Sequence, residues 1–117
     1  MKILEITTND KVLTYKLTKD ASIQSMKDCV GAVIKVKDYA LYEDVNKDGD
    51  QQTILSIMDA DGTVRATNSA TFQREFKDIM QIADGDVATI TVVSGMTKSN
   101  REFITCSLVD ITPVKKK

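Results

Sequence analysis

The alternating apolar pattern that runs through this chain from Ala32 to Ile111 is broken once. At Phe72, Phe76, Ile79, Met80 and Ala83 the spacing becomes i, i+4, i+7, i+8, i+11, the stripe of an amphipathic helix. Ser69 or Asn68 would cap its start, and Gly85 lies just past its end. Three strand-like runs precede it: Ala32 to Glu43, Thr53 to Met58, and Thr63 to Thr67. Asp48-Gly49 and Asp61-Gly62 supply the tight turns between them. Two strands follow, Val87 to Val93 and Glu102 to Ile111, joined by the polar loop Ser94–Asn100.

Strand, strand, strand, helix, strand, strand is the order of the OB-fold, a five-stranded Greek-key barrel with a helix after its third strand. The chain is therefore expected to be mainly β, one OB-fold-like domain spanning residues 1–117. Residues 1–20 read as an N-terminal β-hairpin extension: Lys2 to Thr7 and Lys11 to Leu17 flank Thr8-Asn9-Asp10, and Tyr15 falls in the hairpin's core. Ala21 to Asp28 fits either a helical turn or a loop. Residues 113–117 form a basic tail.

Missing residue types narrow the chemistry. With no histidine, the usual near-neutral general base and the Ser-His-Asp and Cys-His nucleophile sites are absent. Cys29 and Cys106 are too few for a disulfide framework or a cysteine-rich zinc site, and read as reduced core residues of an intracellular protein. Asp44-Val45-Asn46-Lys47-Asp48-Gly49 opens like a calcium loop, but Leu55 stands where the bidentate glutamate belongs, so an acidic hairpin turn is expected. No catalytic residue, metal or cofactor is expected. No apolar run is long enough to span a membrane, and Glu5 comes too early for a signal peptide.

The net charge of −1 conceals strong patterning. Residues 1–37 carry seven lysines against four acids, residues 38–62 seven acids against one lysine, and residues 87–117 five basic groups against two acids. A polyanion would have to be held by a local patch. On simple alternation, Lys35, Lys37 and Tyr39 share the outer face of the first barrel strand, Arg65 that of the third, and Arg101 and Phe103 that of the last. Tyr42 has the core parity and joins them only if a bulge reverses the face. Lys98 sits in the loop that closes over ligand in OB-folds, or in a plain hairpin tip. Cations that follow phosphates and rings that stack on bases are what single-stranded nucleic acid requires. The competing reading is that the lysines are a solvated face and Phe103 is buried.

From about Val33 to Val109 the chain resembles the single-stranded DNA-binding proteins of small tailed bacteriophages with protein-primed replication. The resemblance runs through Lys37-Asp38-Tyr39-Ala40-Leu41-Tyr42, Thr53–Val64 with its Ala60-Asp61-Gly62, the helix, and the hairpin Thr91–Phe103. It implies a non-enzymatic protein that coats displaced strands in the cytoplasm of the infected bacterium, with single-stranded DNA and the phage DNA polymerase as partners. It also implies a base-stacking role for Tyr39. The protein is expected to be a monomer or weak homo-oligomer. The N-terminal hairpin has no clear counterpart in that family. The lysine tail, Lys115–Lys117, replaces the acidic tail common among such proteins and serves either as a phosphate contact or as a solvated terminus. The rival reading is a protein-interaction module on the same barrel, such as a phage-encoded inhibitor of a host protein, with Asp38–Asp61 as its contact surface. A small carboxylate hydrolase is the third.

Overall fold

The computed structural model describes residues 1–114, so the Lys115–Lys117 tail lies outside the described residues. Seven strands and two helices follow in the order β1 (Lys2–Ile6), α1 (Lys11–Thr18), β2 (Gln24–Ser25), β3 (Val33–Val45), β4 (Gln51–Asp59), β5 (Val64–Thr67), α2 (Ala70–Ala83), β6 (Val87–Met96) and β7 (Glu102–Thr112). A 3-10 turn, Met26–Cys29, follows β2. The sheet runs β2-β5-β4-β3-β6-β7, with β1 on β3. The order expected from Ala32 onward is present, and the curled sheet is an OB-like barrel with α2 after its third strand. β5 and β7 share no ladder. At that seam the Ser69 hydroxyl caps α2 by accepting from Phe72 N–H (3.2 Å) and donates to the Ile104 carbonyl (3.1 Å).

The expected N-terminal hairpin is instead a strand followed by a helix. Asp10 caps α1, its carboxylate accepting from Val12 and Leu13 N–H at 2.8 and 3.0 Å. Leu13, Tyr15 and Leu17 fit a strand of period two, but Leu13 and Leu17 also sit one helical turn apart. The helical option buries Leu17 completely and leaves Tyr15 56% exposed, outside any core.

The sheet carries a core on each face. Its concave side packs Ile34, Val36, Leu41, Leu55, Ile57, Ile90 and Val92 against Phe72, Phe76 and Ile79 of α2. Each fully buried phenylalanine contributes about 1.5–3 kcal/mol. The convex side packs Ala40, Tyr42, Met58 and Val64 with Leu17 of α1.

A β-bulge between Val36 and Asp38 connects the two. Before it, Ile34 and Val36 point inward; after it, Tyr39 and Leu41 do, paired with Ile57 and Leu55. The N-terminal segment holds the bulge in place. The Thr7 hydroxyl donates to Asp38 Oδ1 (2.8 Å) and accepts from Tyr39 N–H (2.9 Å). β1 takes the edge of β3 at residues 40–43 that β6 takes at 33–35.

Candidate nucleic-acid interface

The bulge and the second helix redistribute the residues expected on one binding face. Tyr39 is turned inward. Its ring meets Phe76 edge-on at 5.0 Å and 80°, and its hydroxyl donates to Glu5 Oε2 at 2.6 Å. Burial, then the neighbouring Glu5 carboxylate, pushes its hydroxyl pKa well up. With Leu41, Leu55, Phe76 and Met80 it lines a pocket of about 330 Å³ under α2. Tyr42 is carried to the convex face by the same bulge, but α1 covers that face and leaves it 4% exposed. Arg65 lies beside Ile57 and pairs with Asp59 at 3.3 Å, both side chains largely shielded from solvent. The expected outer positions of Tyr39 and Arg65 are corrected accordingly.

The remaining cations fall into two groups. Lys35 is exposed and pairs with Thr89 of β6, and Lys37 is exposed at the bulge. Lys98 and Arg101 are exposed at the β6–β7 tip. Met96 lies seven residue steps along β6 from Thr89, about 23 Å at the rise of a strand.

At the tip stands the one expected ring that faces outward. Phe103 is half-buried and paired across the ladder with Gly95. A Cβ on Gly95 would lie 2.5 Å from Phe103 Cζ and 2.8 Å from Cε1, so the end of the ring crosses directly over the glycine. The turn beyond is short and tied: Arg101 N–H donates to Thr97 Oγ1 (3.1 Å), and Asn100 takes a positive φ of 59°.

Phe103 forms one wall of a groove of about 840 Å³. The segment around β2, with Ile23, Gln24, Ser25, Lys27 and Asp28, lines it too, together with Ile54 of β4 and Ala66 and Thr67 of β5. Gln52, next to the β3–β4 turn, and Glu102 and Ile104, which flank Phe103 on β7, also line it. The groove thus crosses the outer face of the second and third barrel strands between two hairpin loops, where OB-folds take oligonucleotides. Lys27 and Asp28 belong to it and were missed, because Ala21–Asp28 carries no clear period. Gly95 was missed because a lone glycine in a strand does not reveal which ring crosses it.

The calcium-like stretch is a hairpin turn. Asn46 Oδ1, which the metal pattern would need as a ligand, accepts from Asp48 and Asp50 N–H at 2.9 Å each.

A family model described as Phage Single-stranded DNA-binding protein matches residues 3–109. The chain belongs to this family. Its function is single-stranded DNA binding in phage replication. The match takes in β1 and α1, so the N-terminal segment lies within the family's extent. Searches of curated proteins and of solved structures return no match. Among the described residues no helix is long and apolar enough to cross a membrane.

Proposed function

We propose that the groove between Ile23–Asp28 and the β6–β7 tip is where the DNA strand sits, with a base stacked on Phe103. Lys27, Lys98 and Arg101 neutralise phosphates along its rim. The observation that carries this reading is the Phe103 ring held across Gly95 in the lining of this groove. A flat ring face accepts any base and is worth roughly 1–3 kcal/mol per stacked base. Tyr39 and Tyr42 support the barrel in this reading and do not stack. The protein acts by stoichiometric coverage and performs no chemistry. It coats strands displaced by the phage polymerase in the cytoplasm of the infected bacterium, as a monomer or weak homo-oligomer.

Fluorescence anisotropy of a labelled oligonucleotide tests this better than intrinsic emission, since there is no tryptophan and two of the three tyrosines are turned into cores. Phe103→Ala is expected to weaken binding roughly 5- to 150-fold, the loss of one stacked base. Lys98→Ala and Arg101→Ala should each lower the slope of log K against log salt by about 0.7. Unchanged affinity in Phe103→Ala would reject the groove.

A further inference from the structure

Resting on that reading, the groove's own charge bears on which bases it takes. Its ionisable lining is one ammonium, Lys27, and two carboxylates: Asp28 on the segment after β2 and Glu102 beside Phe103 on β7. Both carboxylates are exposed, and neither makes a side-chain hydrogen bond or ion pair among the described residues. A surface built only to hold a phosphate chain would not place two free carboxylates there, because each repels the chain. They are tolerable if phosphates run along the rim, by Lys98 and Arg101, and bases point inward.

We infer that Asp28 and Glu102 give the groove a preference among bases, favouring those with exocyclic amino groups, cytosine foremost, over thymine. An ionised carboxylate only accepts hydrogen bonds. The cytosine N4 amino group donates to it, the pairing by which acidic side chains read cytosine. Thymine places a carbonyl oxygen at the same position, so lone pairs face the negative charge. A bond to a charged acceptor is about twice as strong as a neutral one. The stacking platform still accepts every base. The outcome is a compositional bias laid over tolerant binding, with no fixed recognition sequence.

The test compares labelled oligo-dC and oligo-dT of about 16 residues, near the upper site size for one such barrel, at neutral pH and equal salt. Wild-type protein is expected to bind oligo-dC at least about fivefold more tightly, the lower end of discrimination by one specific base contact. The double variant Asp28→Asn/Glu102→Gln should bring the ratio toward one. Equal binding by wild type overturns the inference. So does a variant that binds both strands more tightly at an unchanged ratio, for the carboxylates would then only repel phosphate. Phe103→Ala separates the two levels. If it weakens both strands while wild type shows no preference, the groove stands and the preference falls. If it weakens neither, the groove falls and the preference with it.

Discussion

A methyl group at position 95 would overlap the Phe103 ring, so the placement of that ring depends on the absence of a side chain there. The nearest ring atom is 2.5 Å from where a Cβ would stand, far inside van der Waals contact. Gly95→Ala must therefore lift or rotate the ring. Because Phe103 is at the surface, it can swing outward without opening the core. The expected result is a loss of DNA affinity approaching that of Phe103→Ala, with unfolding stability within about 0.5 kcal/mol of wild type. Anisotropy and urea denaturation on the same preparation separate the effects. A large fall in stability with intact affinity would show that the glycine serves the fold alone. Phe103 was legible in the sequence because the last strand keeps its alternation from Phe103 to Cys106. Tyr39 was not, although it has the same aromatic chemistry. Its side was decided by a bulge anchored through Thr7, 32 residues away.

At the scale of elements, the five barrel strands and α2 were legible because each carries one period unmixed with another. The helix begins at Ala70, capped by Ser69, and ends with Asp84 in a left-handed conformation, φ 47°. α1 was illegible for the opposite reason: Leu13, Tyr15 and Leu17 satisfy both periods, and the choice falls to Asp10 and to the open convex face that Leu17 fills. That makes the cap testable. Asp10→Ala removes the acceptor for two backbone N–H groups and should destabilise the protein by about 1 kcal/mol in urea titrations. DNA affinity under native conditions should not move, since α1 lies outside the groove. A loss of binding at full stability would place α1 in the interface instead. The ion pair between Lys19 and Asp44, 2.8 Å, fastens the end of α1 to β3 and holds the Asp44 carboxyl below the usual carboxylate range. Both side chains are substantially exposed, so the pair contributes little at ordinary salt.

Across the whole molecule, the two cores hold three acidic protons away from water: Tyr39 and Cys106 on the concave side, Tyr42 on the convex. Burial is the main cause in each case, aided by Glu5 at Tyr39, Asp44 at Tyr42 and Glu75 at Cys106. All three are shifted up, and the Cys106 thiol goes from an ordinary 9.0 to about 12. The sign follows directly. Above the unfolded pKa the unfolded chain releases its proton while the folded protein keeps it, so rising pH favours unfolding. Stability from these groups is fully present below pH 9 and declines from there, first through Cys106 and then through the tyrosines, whose ordinary value is 10.0. Each group adds at most about 1.4 kcal/mol per pH unit to the slope. Urea midpoints measured from pH 8 to 11 should fall with increasing steepness. Tyr39→Phe should start lower, having lost its hydrogen bond to Glu5, yet decline less steeply. Parallel curves for the two proteins would mean that Tyr39 ionises as freely in the folded state as in the unfolded one, which an inward ring packed on Phe76 does not allow.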